Sequence, residues 1–507
     1  MIPVLYKQQM RDLDAHMSQA LHIPSLLLME NAAFGITTAI YERFGTDASV
    51  IALCGTGNNG GDGFAAARQL AAKGCDVRVM LVGKPDELRG DAAINAAFFG
   101  ERITEITDEA AAHAHLKNLN GCVVIDALFG VGLSRDITGL YAVVISLLND
   151  SGAYTVACDI ASGIDADTGA VRSTAVRADE TVTFGCVKPG HLLFPGRAYT
   201  GRLTVREIGV SDGFDLGGMY AVTDSIKLTR RKADTHKGSF GRLACVAGSQ
   251  GMSGAGLLCA GAALRAGAGL VTAGVPASLQ SVFSARNPES LTFALDEFAG
   301  SLSEHCTDGL DRLLEGKTAL AAGPGIGTGN GAAVAVRHML GHYHIRKVVD
   351  ADALNIIAQD ISVLHEAVGD IVLTPHPAEF SRLCGHSRDE IQKDPLRYTH
   401  EFATKYGVTL LLKGATTIVT NGAQTAFVTA GTPGMARGGS GDVLTGVIGG
   451  LMCGGIEGGM CGFDAAVYGA YICGKAGEAA ANALGELSMT AGDTLSHIAD
   501  VTKAMTA

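Results

Sequence analysis

The sequence predicts an α/β protein of two domains, each built around a mostly parallel sheet layered between helices. Three observations predict it. The chain has 507 residues, about three times the ~150 residues of a typical domain. It is 47% hydrophobic and only 18% charged, which supplies apolar surface for more than one core and excludes a largely disordered chain. Short β-rich runs alternate with helical patterns twice along its length, the grammar of strand–helix–strand units.

In the first half an N-terminal helical cap precedes ASVIALC, FAAARQLAAKG and DVRVMLVG, read as strand, helix and strand. Further strands are expected at Cys122 to Asp126, Tyr154 to Asp159 and Glu180 to Cys186, giving a sheet covered on both faces. From Ser211 to Arg231 the chain mixes SDG, LGG and a basic RRK without periodicity. The boundary is placed there, with domains over 1–215 and 225–505. The second half restarts with GRLACVAGS, an Ala-rich helix and LVTAGVPAS, then runs through ALAAGPGIG, KVVDADALNIIA, DIVLTPHPAEF, VTLLLKGATTIVTNG and AFVTAG. No convincing repeat links the halves, so separate functions are expected.

The formal net charge is −12, and no basic run stands out. This argues against nucleic acid or an anionic membrane as partner and for a small molecule. The 68 glycines exceed the usual ~7% share and suggest loops where backbone approaches a ligand closely. Twelve cysteines are scattered without a Cys-x-x-Cys pair. Cys122, Cys158 and Cys245 lie in apolar runs and read as packed thiols, which favours a reducing cytosol over disulfides or zinc. The N-terminus becomes charged too soon to hold a signal-peptide apolar region. Two uncharged stretches, Leu243 to Leu264 and Ala266 to Ala285, are interrupted by small and polar residues and read as buried α/β segments rather than membrane spans.

Two constellations carry chemistry. In the first, GTGNNGGDGF follows a strand and opens a helix, where free amides and the helix dipole favour an anion. Gly55, Gly57 and Gly60 satisfy G-x-G-x-x-G, a pattern that a plain tight turn also meets. Asp62 would repel a phosphate, so it is expected to face a hydroxyl, a ribose or a cation. Asp126 and Asp159 end strands, and with Asn59 and Ser162 they can converge on one rim. These are oxygen donors without His or Cys, suited to a hard cation; the alternative is that each Asp caps the following helix.

In the second, MARGGSGDVLTGVIGG puts a glycine turn before an apolar helix. Amides from Gly438 to Gly441 can form a nest for a transferring phosphoryl group. Asp442 is then placed to accept a substrate hydroxyl proton, with a plain N-cap as the alternative. Lys413, Gly414, Thr416 and Thr417 leave a buried strand and suit nucleotide phosphates. His376 sits between prolines at another strand end, and could equally be a buried structural histidine. Gly323 and Gly325 permit close backbone approach. Asp350 and Asp352 stand at the rim or cap a helix.

The segments SLLLMENAA, NNGGDG, DALFGVGLSRD and DIASGID together resemble the YjeF N-terminal family, the NAD(P)H-hydrate epimerases. The resemblance implies a Rossmann-like three-layer sandwich. It implies that Asn58, Asn59, Gly60, Gly61 and Asp62, the loop Gly130, Val131, Gly132, Leu133, Ser134, Arg135 and Asp136, and Asp159 contact the hydrated dinucleotides NADHX and NADPHX. It also implies that Asn59, Asp126 and Ser162 bind potassium. Ala161 stands where the family commonly has proline. The implied chemistry is inversion at the hydroxyl-bearing carbon beside the ring nitrogen, with Asp62 or Asp159 relaying the proton.

The ordered set HKGSFG, GSQGMSGAG, GPG, DADALN, LTPHPAEF, KGATT and GGSGD resembles the ADP- or ATP-dependent NAD(P)H-hydrate dehydratases, a branch of the ribokinase-like fold. This implies that Ala255, Gly325, His376 and Asp442 contact the hydrate, while Lys413, Gly414, Ala415, Thr416, Thr417 and Gly441 contact the adenine nucleotide with Mg2+ on its phosphates. Met252 and Ser440 replace the tyrosine and threonine of many relatives. The expectation is a cytoplasmic, homo-oligomeric repair enzyme that equilibrates the R and S hydrates and dehydrates the S form, with ADP the favoured donor. The alternatives are a small-molecule kinase for a vitamin precursor and, for the first half, a binding or scaffold module.

Overall fold

A computed structural model describes residues 1–209, 214–224, 226–455 and 458–506. The chain divides into two compact units, Ile2–Met219 and Tyr220–Ala507 with Met1. Within the expected boundary segment, Ser211, Asp212, Gly213 and Ser225 lie outside the described residues.

The first unit opens with helices α1 (Lys7–Ala15) and α2 (Ser25–Phe44). Seven strands follow: β1 (Ser49–Cys54), β2 (Asp76–Val82), β3 (Ile103–Ile106), β4 (Cys122–Ala127), β5 (Tyr154–Cys158), β6 (Glu180–Phe184) and β7 (Arg202–Arg206). They form one sheet in the order β3-β2-β1-β4-β5-β6-β7, with every pairing parallel. The central strands are apolar on both faces because helices cover both: Val50 to Cys54 of β1 are all buried. The order reverses between β1 and β4, and the loops leaving those two strands diverge there to open a crevice. After β1 the chain enters α3 (Asn58–Ala72) through a turn that leaves no room for a side chain at Gly55 or Gly60. A Cβ on Gly60 would lie 1.9 Å from the Gly55 carbonyl oxygen. The expected strands at Tyr154 and Glu180 end earlier than their apolar runs suggest, at Cys158 and Phe184, because Asp159 and Gly185 turn out of the sheet with φ +66° and +65°.

The second unit contains β8 (Arg242–Val246), β9 (Leu270–Pro276), β10 (Leu291–Leu295), β11 (Ala319–Ala322), β12 (Arg346–Val349), β13 (Ile371–Leu373), β14 (Thr409–Leu412), β15 (Thr417–Thr420) and β16 (Thr425–Val428). Their order is β16-β15-β14-β13-β12-β11-β8-β9-β10, parallel except where β15 runs antiparallel to both neighbours. Helices α4 (Ser253–Arg265), α5 (Asp352–Gln359), α6 (Pro377–Cys384) and α7 (Ser440–Gly450) position the site. α7 and α4 pack almost backbone to backbone, since a Cβ on Gly446 would stand 2.1 Å from the Cys259 carbonyl oxygen. That contact buries Val443, Val447 and Ile448 with Cys259, Ala260 and Ala263 in one core. The two uncharged stretches are strand–helix segments of this unit, as expected. No described helix is long and apolar enough to cross a membrane. Cys158 and Cys245 are buried, whereas Cys122, at the first position of β4, is only half-buried; strand ends escape the cover that strand middles receive.

Candidate active sites

In the first unit a cleft of about 1040 Å³ lies over the carboxyl ends of β1, β4 and β5, walled by α1 and α2. Asn58, Asn59 and Asp62 line it, as do Gly130 through Arg135 and Asp159. Gly60 and Gly61 are buried behind the lining, and Asp136 lies outside it. The sequence therefore brings the two loops and Asp159 together, with Gly60 shaping the turn rather than facing the cleft.

Asp159 is held by partners that motif reading passes over. Its Oδ1 accepts from Lys188 Nζ at 2.5 Å, from Thr183 Oγ1 at 2.9 Å and from the Phe184 amide at 3.3 Å. The Lys188 side chain is fully buried, while that of Asp159 keeps 13% exposure toward the cleft. His191 Nδ1 accepts from the Lys188 amide, so the proton belongs on Nε2, which donates to the Asp159 carbonyl at 2.9 Å. Burial pushes His191 down to about 4, and the neutral ring acts as a fixed backbone clamp.

The carboxylates of the cleft titrate differently. Burial raises Asp159, but the Lys188 ammonium and its hydrogen bond outweigh it and hold the group below the ordinary carboxylate value. Asp62 is raised well above that value by burial and by the charges of Asp159, Asp14 and Asp91. Environments that drive two adjacent acids apart make one a proton donor and the other an acceptor.

Asp126 is wholly buried and caps no helix. Its two oxygens accept from Ser162 Oγ at 2.6 Å and the Ser162 amide at 2.8 Å, and the Phe129 amide donates to Ser162 Oγ at 2.8 Å. Asn59 meets the same loop: a Cβ on Gly130 would lie 2.9 Å from its Oδ1, and its buried Nδ2 has no partner among the described residues. Burial lifts Asp126 to about 6 despite its bonds to Ser162. A buried carboxylate without a countercharge among the described residues, beside the Asn59 amide oxygen and the Ser162 hydroxyl, is an oxygen-donor set that fits a hard monovalent cation.

In the second unit the strand ends carry a second lysine–aspartate pair. Asp350, directly after β12, has 1% side-chain exposure, and its Oδ1 accepts from Lys413 Nζ at 2.8 Å, whose side chain keeps 22%. Asp350 Oδ2 accepts from Thr445 Oγ1 at 2.9 Å. It is not a helix cap, since Ala351 precedes α5. Glu379 stands 3.9 Å from Lys413 Nζ and 3.4 Å from His376 Nε2. His376 is half exposed rather than buried, and its Nδ1 accepts the Ala378 and Glu379 amides at the start of α6.

The glycine turn lies over this pair, because a Cβ on Gly441 would stand 3.2 Å from Asp350 Oδ2 and 3.3 Å from Lys413 Nζ. Gly439, in the left-handed region at φ +95°, precedes α7. Asp442 is therefore not the N-cap; it sits in the first turn, and its carboxylate hydrogen-bonds to no described residue. Burial first, then Asp350 and Asp352, push it up to about 6 against Lys413. Gly325 (φ +64°) faces Met252 and Ala255, whose Cβ atoms a side chain there would meet at 3.0 and 3.1 Å. Gly439 abuts Leu258, one turn along α4 from Ala255, so the nest, Ala255 and Gly325 share one rim. Gly414 to Thr417 form the exit of β14, where Thr417 Oγ1 donates to the Gly414 carbonyl at 3.4 Å.

Residues 25–190 match the family model of YjeF-related protein N-termini, and residues 243–500 match that of NAD(P)H-hydrate dehydratases. The chain is 39% identical over 504 residues to a Moorella thermoacetica protein named bifunctional NAD(P)H-hydrate repair enzyme Nnr, covering 97% of this chain and 94% of the relative. A Thermofilum pendens protein of the same name is 35% identical, covering 80% and 78%. A ribokinase-like protein from Enterococcus faecalis is similar in structure at 24% identity and TM-score 0.49, covering 57% of this chain and 96% of its own. An ADP/ATP-dependent NAD(P)H-hydrate dehydratase from Bacillus subtilis, co-crystallised with ATP and Mg2+, gives 26% and 0.46, covering 55% and 95%.

Proposed function

The chain belongs to the bifunctional NAD(P)H-hydrate repair enzymes, and on that premise we propose that its two units act consecutively on one damaged dinucleotide. The first interconverts the R and S hydrates of NADH and NADPH, and the second returns the S form to NAD(P)H. Asp442 carries the second reading: a half-buried carboxylate with no hydrogen-bond partner among the described residues, in the first turn of a helix entered through a glycine nest.

Hydroxide leaves poorly because water has a pKa of ~15.7, whereas the second ionisation of a phosphate ester lies near ~6. Asp442 takes the proton of the hydrate hydroxyl, and that oxygen accepts the terminal phosphoryl group of ADP or ATP. The ring nitrogen lone pair then expels phosphate, and loss of a ring proton restores the dihydropyridine. Lys413, aimed outward by Asp350, offsets charge on the phosphates, and the amides of Gly438 to Gly441 receive the group in transfer. His376, Ala255 and Gly325 hold the hydrate, while Gly414 to Thr417 contact the nucleotide. Magnesium bound with the nucleotide would neutralise phosphate charge, and the oxygen-only acids of this rim would suit such a cation.

In the first unit Asp62 or Asp159, neighbours in the cleft, relays the proton at the hydroxyl-bearing carbon. Asn59, Asp126 and Ser162 would hold potassium, which would tie the two loops together and supply the countercharge Asp126 lacks among the described residues. The protein is proposed to work in the cytoplasm as a homo-oligomer, with ADP as donor. The test supplies purified full chain with S hydrate, magnesium and each nucleotide in turn. Recovery of reduced-dinucleotide absorbance with release of phosphate is expected. Accumulation of a stable phosphorylated product, or no recovery with either nucleotide, overturns the reading.

A further inference from the structure

The matched family segment of the first unit begins at residue 25, yet α1, which precedes it, contributes a carboxylate to the cleft. Asp14, Asp62 and Asp159 all line it. Their bonding differs. Asp159 is clamped through Oδ1 by Lys188, Thr183 and the Phe184 amide, whereas neither the Asp14 nor the Asp62 carboxylate hydrogen-bonds to a described residue. They also come from different places. Asp62 on α3 and Asp159 after β5 belong to the strand rim, and Asp14 comes from the last turn of the N-terminal helix.

Inversion at the hydroxyl-bearing carbon has a directional requirement. The hydroxyl leaves one face of the ring and water must add to the other, so proton transfer is needed on both faces. We propose that Asp14 is a second proton-transfer residue of this cleft, serving the face of the nicotinamide ring opposite the one served by Asp62 and Asp159. The assignment rests on the epimerase reading above.

The step balances without an external reagent. The carboxylic acid on one face gives its proton to the departing hydroxyl, the C–O bond breaks, water leaves, and the ring nitrogen lone pair completes a planar iminium. On the other face water adds to the same carbon, a C–O bond forms, and the carboxylate there takes the released proton. Burial and the Asp159 charge, partly offset by Lys188, lift Asp14 to about 6, so both of its forms are accessible near neutrality. The charged groups lining the cleft around it are Arg11 on its own helix, Asp62 on α3, Asp91, Arg135, and Asp159 with its buried partner Lys188.

The test is full-length Asp14→Asn in heavy-oxygen water, following both R–S interconversion and label entry into each epimer above the uncatalysed background. Inversion is expected to fall by about 100-fold, while label still enters one epimer, through the face that retains its carboxylates, and no longer enters the other. Circular dichroism and the thermal transition check the fold, with Asp14→Ser as a second variant if the amide is not tolerated. Inversion within threefold of wild type, or loss of label from both epimers in a folded variant, overturns the proposal. Wild-type protein that neither inverts nor exchanges would instead refute the epimerase reading and take the assignment down with it.

Discussion

Each unit sets a lysine–aspartate pair at the carboxyl ends of parallel strands, but the two pairs are turned opposite ways. In the first, Lys188 is fully buried and Asp159 reaches the cleft. In the second, Asp350 is buried and Lys413 reaches solvent. On the proposed function the exposed member names the chemistry, and the buried member fixes its direction: a carboxylate presented for proton transfer in one unit, an ammonium presented to phosphates in the other. One kind of ion pair thus presents opposite charges according to which partner is sunk into the protein.

The sharpest break of this symmetry is at the reacting acids. Asp442→Asn is expected to lower nucleotide-dependent dehydration on the order of 10³-fold, a typical share for a general base, while R–S interconversion by the same preparation stays at the wild-type rate. The next effect is on stability. Orphaning a buried charge costs roughly 3–5 kcal/mol, so Asp159→Asn, which strands Lys188, and Lys413→Met, which strands Asp350, should each lower the denaturation midpoint of their unit. The reciprocal changes Lys188→Met and Asp350→Asn leave a partner that water can reach, and should cost less; equal costs within each pair would remove the distinction between support and presented group.

Proton titration separates the units further. Burial pushes Asp442 up to about 6, and as the proposed base it would act only when ionised, so the dehydration rate should fall about tenfold per pH unit below that value. Asp126 is also raised to about 6. Because this exceeds its unfolded value, its contribution to stability is present at acid pH and is lost as pH rises through about 6. Potassium at Asp126 should restore on the order of 1 kcal/mol to the first unit when it stands about tenfold above its Kd, measured as a higher thermal midpoint at neutral pH and no change near pH ~4. The smallest difference is within the first glycine turn. Gly57 has open space where a Cβ would go, whereas Gly60 has none. Gly57→Ala should leave stability within about 0.5 kcal/mol, and Gly60→Ala should abolish folding of the turn and interconversion with it.

What the sequence disclosed follows the same physics. Strand-to-glycine junctions are local, and both nests, Asp62, Asp159, Asp350 and Asp442 could be placed on a rim from their neighbours alone. Lys188 could not: a lysine after a strand reads as solvated, and its burial depends on Asp159, which lies distant in sequence. Asp14 was hidden because a polar position on an amphipathic N-terminal helix looks like a wetted face. Thr445 was closer to hand, three residues after Asp442 and hence on the same side of α7, but only the arrival of Asp350 from another strand gives it a partner. Glu379 likewise looks like an ordinary first-turn acid until Lys413 stands beside it.

The backbone at residue 159 limits what mutagenesis and evolution can try there. A left-handed φ of +66° is carried at little cost by glycine, asparagine and aspartate and resisted by the rest. A saturation library at that codon would therefore be dominated by variants whose failure reports a distorted turn, and the asparagine member, which keeps the turn, reports the loss of the charge that Lys188 pairs with.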